Sequence, residues 1–384
     1  MALPLQAQIK HYDWGVPGAL SEALGRTPSG APEAEIWWGN HPLAECAILS
    51  SDGAEDFPHW LEATGTNFRL LVKLLAAQKP LSIQVHPSEN QARRGFDREQ
   101  AEGLPLDARE RTYKDRSAKP ELIIALSAEF VGLVGFASET AVRERLARWA
   151  TAGAPQALAV LMGSVASDPR EAARLITDES ADHSHVVHEI DAWLGRVNPI
   201  GLESTTSQEV RLLQQVAAAH PGDVGILFAL LMHHVHLERG EALFVAAGEV
   251  HAYVHGLGLE VMLPSDNVIR AGLTSKHKDI EAFLELSTFA PTTSPTLVRP
   301  HSDLSGQTYQ GFGAGFTVHR ISCGHDAFTV ARPSVCFVES GEALIGNAGA
   351  TRFSKGAAVF ALPGETVAAL PEDGVVWAVQ STED

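Results

Sequence analysis

Cysteine is scarce in this chain. Cys46, Cys323 and Cys336 are the only three in 384 residues, and no two form a C-x-x-C pair. An odd, sparse set excludes a disulfide framework and suits reduced thiols in a cytosol. Positive charge is also in deficit, with Lys+Arg 29 against Asp+Glu 47 and a formal net charge of −18. A surface of that sign repels nucleic acid and anionic membranes, so neither is an expected partner. An anionic small molecule would have to be caught by a local cluster of Lys and Arg. No apolar run reaches the roughly 18 residues of a membrane span. Met1 to Gly15 has no basic start followed by an apolar stretch, so no secretory leader is expected and the cytoplasm is the expected compartment. There is no Gly-rich dinucleotide motif, so no redox cofactor is called for.

What is present is the composition of a soluble globular protein, 45% apolar and 20% charged. The 33 Gly and 21 Pro are spread along the chain, which fits a strand-rich fold with many turns. The length is too great for one ordinary core and enough for two or three domains. Residues 1–137 read mainly as strands, such as Glu45 to Leu49 and Leu70 to Leu75. The polar stretch 88–115 reads as a helical flap or a solvated helix. From Ser138 to His220 the period becomes helical: Val142, Leu146 and Trp149 share a face, Ser138 is a candidate cap, and Asp168-Pro169 looks like a cap with a first-turn proline. Leu237 to Val245 and Val250 to Tyr253 give strand, turn, strand, with His251 near the start of the second strand. That is the rhythm of a cupin, a double-sheet jelly-roll barrel. Ala290 to Thr296 reads as a linker. Residues 297–384 repeat the rhythm without a His or Gln where His251 would fall. The expected fold is mainly β: two cupin (jelly-roll) β-barrel domains with an α-helical insert. Residues 1–137 and 221–290 form the metal-binding domain, 138–220 the insert and 291–384 a metal-free second cupin.

Four potential metal ligands lie in strand-like runs: Gln84 and His86 in L-S-I-Q-V-H-P, Glu121 in A-K-P-E-L, and His251 in G-E-V-H-A-Y-V-H. Side chains two apart on a strand share a face, which aligns Ser82, Gln84 and His86, pairs Lys119 with Glu121, and aligns His251, Tyr253 and His255. Two imidazoles, a carboxylate and an amide oxygen suit a borderline divalent ion such as zinc, with one position open. Each residue also has an ordinary reading. A strand His is commonly a hydrogen-bonded core residue, and Glu121 can simply pair with Lys119. His233, His234 and His236 imitate a metal cluster, but alternation splits them between two faces, so they read as structural. Trp14, Trp37 and Trp38 can stack on a sugar or fill the core.

Read together, the motifs resemble the type I phosphomannose isomerases. The likeness runs through His11 to Gly15, Glu35 to Gly39, Gln78 to Pro87, Lys119-Pro120-Glu121, His251-Ala252-Tyr253 and Ser265 to Lys276. The resemblance implies an aldose–ketose isomerase that interconverts mannose 6-phosphate and fructose 6-phosphate through a cis-enediol. It implies one zinc per chain on Gln84, His86, Glu121 and His251. It places Ser82, Lys119, Tyr253, Glu260, Arg270 and Lys276 around the sugar phosphate. Ala118 departs from the family, which often has a His there, so the proton-transfer group stays open.

The chemistry sets the remaining expectations. Moving a proton between C2 and C1 needs a base within hydrogen-bond reach, and Glu260 and Lys119 are the candidates. Charge developing on O1 and O2 needs a Lewis acid or a fixed cation. Arg270, Lys119, Glu260 and Tyr253 are therefore the expected catalytic residues, with Ser82, Lys276 and Trp14 at the substrate. Arg270 can hold the phosphate or the enediolate, and the second role is favoured because Lys276 and Ser82 can share the phosphate. The competing classes are a metal-dependent cupin oxidoreductase, which usually presents three His, and a sugar-binding cupin without activity. The expected partner is a small sugar phosphate. The sequence leaves the oligomeric state open, a monomer included.

Overall fold

The computed structural model describes residues 2–382 apart from 52, 179, 371 and 372. The chain is mainly β, and among the described residues the paired strands run antiparallel. No described helix is long and apolar enough to cross a membrane.

The strand His251–Met262 organises the half that carries the site. Its start pairs with Ile83–Val85 and Glu129–Phe136, and its end pairs with Leu71–Ala77 and Glu121–Ala125. One strand thus belongs to two groups of strands and joins them in a single eleven-stranded sheet. Gly256 and Gly258 make this passage possible. A Cβ on Gly256 would lie 2.8 Å from the Glu129 carbonyl oxygen, and one on Gly258 would lie 2.5 Å from Ile123 Cδ1. At Gly256, where the neighbours are backbone atoms, only a residue without a side chain lets the strands approach this closely.

Helices fill 138–220 as the periodicity predicts. Glu139–Thr151 buries Val142, Leu146 and Trp149, and Ser138 Oγ accepts the Ala141 N–H at 3.3 Å. Pro169–Thr177 is capped by Asp168, whose carboxylate accepts the N–H groups of Arg170 and Glu171. Ser204–Ala219 ends at His220, whose Nε2 meets the Pro80 carbonyl at 3.0 Å. That contact brings the helical layer to the mouth of the site. The stretch after Pro87 forms the helix Glu89–Ala101.

The C-terminal strands form a nine-stranded sheet and a four-stranded sheet. The larger sheet crosses the boundary drawn at residue 291. Leu3–Ala7, from the other end of the chain, lies between Ala358–Ala361 and Cys46–Ser50. The two halves also share one apolar core, in which Trp38 stacks on Phe337 at 5.5 Å between ring centroids. The stretch expected as a linker is pinned down: Thr292 N–H donates to Phe136 O, and Phe244 N–H donates to Thr296 O.

Candidate active site

Strand register brings the first row of candidates together. Gln84 is the partner of His251 on one side and of Arg270 on the other. Antiparallel partners present their side chains on one face, so His251, Gln84 and Arg270 stand side by side. His86 follows two residues after Gln84. A second row comes from the other strands: Trp37 pairs with Lys73, and Lys73 with Glu260. Glu121 lies two residues before Ile123, the other partner of Glu260.

The two rows meet because of an irregularity in His251–Met262. Plain alternation would turn Glu260 away from the side that His251 faces, since their positions differ by an odd number. A register shift between Tyr253 and His255 adds the missing residue, as a β-bulge does. Glu260 therefore joins His251 and Tyr253 in the interior. The same bulge removes His255, which alternation had placed in the row: it does not line the cleft.

Among the described residues, His86, Glu121 and His251 are buried together with ligand atoms that all lie within 4.8 Å of one another. Both rings spend Nδ1 on a backbone carbonyl, His86 on Asn267 O at 2.7 Å and His251 on Glu249 O at 3.0 Å. Nδ1 must then carry the proton, so each Nε2 presents a lone pair. His86 Nε2 lies 3.1 Å from Glu121 Oε1, and His251 Nε2 lies 3.5 Å from Glu121 Oε2. Acceptors thus face acceptors with no proton between them, and His86 Nε2 has no hydrogen-bond donor. Burial, reinforced by Lys119, pushes the His86 pKa down to about 4, so a proton does not relieve the clash near neutrality. A cation would. Gln84 completes the set, its amide 3.2 Å from His251 Nε2, and rotating that amide presents its oxygen instead. Imidazoles oriented by carbonyls, beside a buried carboxylate, are what a zinc site requires, so the residues present fit that ion.

Glu121 is held from both sides. Lys119 Nζ donates to Oε1 at 2.8 Å and Tyr253 Oη to Oε2 at 3.1 Å. Burial opposes its charge, but Lys119 and His86 hold the carboxyl well below its usual range. Burial and the carboxylates of Glu121 and Glu260 push Tyr253 well above its usual value, so its hydroxyl stays a donor. Burial and Glu121 push Glu260 up to about 7.

A cleft of about 610 Å³ opens above this floor. Ser82, Gln84, Lys119, Glu121, Tyr253, Glu260, Arg270, Lys276 and Trp14 line it. His86 and His251 lie fully buried beneath. Ser82 Oγ reaches Gln84 Oε1 at 3.4 Å, so this hydroxyl serves the amide as well as the cleft. Trp37 packs on Lys73, with Nζ 4.4 Å from the ring centroid, and Trp38 belongs to the core. The three strand histidines bond elsewhere: His233 to Thr292, His234 to the Ala229 carbonyl, His236 to Glu129.

Sequence reasoning missed two residues. Lys73 is buried, with Nζ 3.4 Å from Glu260 and 3.5 Å from Glu35. Its signal was a lone lysine inside an apolar strand, Leu71–Ala77, where a buried charge needs a partner. Asn267 is the other. Its carbonyl orients His86, while its side-chain amide engages the backbone at Lys114, Asp115 and Ser117. No local pattern announces that bond.

Residues 2–139 match the family model described as Phosphomannose isomerase type I, catalytic domain. The mannose-6-phosphate isomerase of Shigella flexneri is 35% identical over 286 residues, 71% of either chain. The human mannose-6-phosphate isomerase is 28% identical over 323 residues, 76% of this chain and 74% of that one. A variant of phosphomannose isomerase from Salmonella typhimurium superposes with a TM-score of 0.86 at 26% identity, over 100% of both chains. A zinc-bound mannose 6-phosphate isomerase superposes with a TM-score of 0.85 over the same full lengths. The matched stretch 2–139 holds Gln84, His86 and Glu121, and the pairwise and whole-chain likenesses extend beyond it; the chain belongs to the type I phosphomannose isomerases, the mannose-6-phosphate isomerase family.

Proposed function

We propose that this protein interconverts mannose 6-phosphate and fructose 6-phosphate at one zinc ion held by Gln84, His86, Glu121 and His251. The observation that carries the reading is the convergence of two Nε2 lone pairs on a buried carboxylate with no proton to share. Bound there, zinc supplies a Lewis acid for charge that develops on O1 and O2 during enolisation.

The chain's own groups do the rest. Glu260, with a pKa raised to about 7, takes the proton from one carbon and returns it to the other. Lys73, 3.4 Å away, stays protonated and steadies the carboxylate. Tyr253 and Lys119 fix the Glu121 oxygens. Arg270, beside Gln84 in register, offers its guanidinium to the enediolate. Lys276 and Ser82 meet the phosphate end, and Trp14 walls the cleft. The Asp266 carboxylate, held low by its bond to His41, borders the same space.

The same reading makes the architecture two cupin barrels, residues 1–137 with 221–290 and residues 291–384, and makes 138–220 an insert on the first. Two groups of strands that share His251–Met262 support it. The reduced cysteine set suits the cytoplasm.

A coupled assay from mannose 6-phosphate to fructose 6-phosphate, with metal analysis of the same sample, tests the proposal. Stoichiometric zinc with turnover is expected. His86→Ala should lose both, and full zinc retained in that variant would overturn the ligand set.

A further inference from the structure

A second cavity, of about 380 Å³, shares Asp266, Val268, Arg270, Ser275 and Lys276 with the cleft above the metal ligands. Part of its remaining wall comes from the segment after Glu89–Ala101, through Arg109, Arg111, Thr112 and Lys114. Five cationic side chains thus meet two carboxylates, Asp266 and Asp279, on a chain whose formal net charge is −18.

Not all five charges are free. Arg111 pairs with Glu99 at 2.9 Å and donates to the carbonyls of Tyr113, Leu104 and Phe96. Lys114 Nζ donates to the carbonyls of Leu106 and Ala108, at 2.9 and 3.0 Å. These two cations are committed to holding the turn in place. The carboxylates are engaged too: Asp266 with His41 at 3.3 Å, Asp279 with the Thr112 hydroxyl at 2.7 Å and the Ala282 N–H at 3.0 Å. What remains is Arg109, Arg270 and Lys276. Among the described residues none of the three forms an ion pair, and the Arg270 guanidinium has one contact, to the Val268 carbonyl at 3.3 Å.

Three uncommitted cations around a cavity that adjoins an acid-lined cleft call for a small, multiply charged anion. A phosphate monoester fits, because its oxygens accept from several donors at once. We propose that Arg109 is a phosphate-binding residue, completing with Lys276 a subsite in this side cavity and selecting phosphorylated sugars over neutral ones, while Arg270, which lines both spaces, stays with the enediolate. The inference rests on the isomerase reading above. It divides the substrate between two spaces, the reacting carbons over the metal ligands and the phosphate beside the pinned turn. Because Arg109 is exposed and lines the side cavity but not the cleft over the ligand row, its contact is uniform binding that the ground state and transition state share.

The test is steady-state kinetics on the zinc-loaded full chain, with Arg109→Ala and Arg109→Lys beside the unchanged protein. Arg109→Ala should raise KM for mannose 6-phosphate about tenfold, the scale of one charge-assisted contact, with kcat falling far less. The inhibition constant of inorganic phosphate should rise by a similar factor, and Arg109→Lys should recover part of both. Unchanged KM and unchanged phosphate inhibition in an active Arg109→Ala enzyme would overturn the subsite and leave the isomerase reading intact. If the unchanged chain does not isomerise, the reading fails separately. Calorimetric binding of inorganic phosphate then decides the subsite: affinity lost in Arg109→Ala supports it, and equal affinity or no binding in both proteins overturns it.

Discussion

Lys73 and Glu260 lie 3.4 Å apart and buried, and the question between them is which moves a proton near neutrality. Burial alone would pull Lys73 down, but Glu35 and Glu260 more than reverse it and hold the ammonium above its usual value. It stays charged. Glu260 is pushed the other way, by burial and Glu121, to about 7, where a general base works best. A base acts deprotonated, so kcat should fall as pH drops through about 7. Glu260→Gln should lower kcat by roughly 10²- to 10⁴-fold and abolish that acid limb. An unchanged limb in the variant would return the role to Lys119 or Lys73. Arg270 makes a different demand. It stands beside Gln84 in register, and the proposed role has it meet charge that appears only during enolisation. Arg270→Ala should therefore cost kcat about 10²-fold, the scale of a lost oxyanion donor. Near-normal kcat with a raised KM would reassign Arg270 to the phosphate. The proposed ligands were the easier part to pick out in the chain, since Gln84, His86, Glu121 and His251 sit in short strand-like runs. Lys73 was not used, because its neighbours Trp37 and Glu260 come from two other strands.

The strand His251–Met262 shows where local rules stop at the scale of elements. Alternation alone predicted a row of His251, Tyr253 and His255, whereas the register shift keeps the first two and substitutes Gly256, Gly258 and Glu260. A bulge depends on what the partner strand can match, so its position is not written in the strand's own period. The helices were easier, because a cap and an apolar stripe are local: Ser138 before Glu139–Thr151, and Asp168-Pro169 before Arg170. The strand exchange of Leu3–Ala7 into the C-terminal sheet is the opposite case, a pairing across almost the whole chain that no window of sequence contains. Gly256 gives the sharpest test of the bulged strand. Its φ is 121, outside the range L residues favour, and its Cβ would meet the Glu129 carbonyl oxygen and Phe130 Cα at 2.8 Å. Gly256→Ala should cost roughly 1–3 kcal/mol of stability and lower activity with it, because Glu260 is placed by this backbone. A variant with unchanged urea midpoint and unchanged kcat would show that the strand reaches the site by another path.

At the scale of the molecule, the metal cluster sits inside a structure that other forces hold. Trp38, Phe337 and Trp377 belong to one apolar core that joins both halves, and Leu3–Ala7 fastens the ends of the chain in a single sheet. Protonation strains that assembly elsewhere. His319 lies among Thr308, Thr317 and Gln380, and burial pushes its pKa down to about 4. A histidine with a depressed folded pKa is protonated first in the unfolded chain. Its contribution is nil above the unfolded value, near 6.5, and turns against folding as pH falls from there to about 4. His319→Gln should therefore lose less stability than the unchanged protein between pH 7 and 5, measured by urea midpoints, and parallel losses would remove His319 from the account. Zinc removal asks the complementary question. A ligand that binds only the native state stabilises it by mass action, so chelation must lower the melting temperature. It should not abolish cooperative melting, because a chain of this size has cores that stand without metal, unlike a zinc finger. Activity should vanish, the far-ultraviolet circular dichroism should persist, and zinc added back should restore turnover. What chelation leaves behind is His86, Glu121 and His251 with their acceptors facing one another, so the loss of cooperativity, if it occurred, would begin there and would make the metal a structural element of the fold.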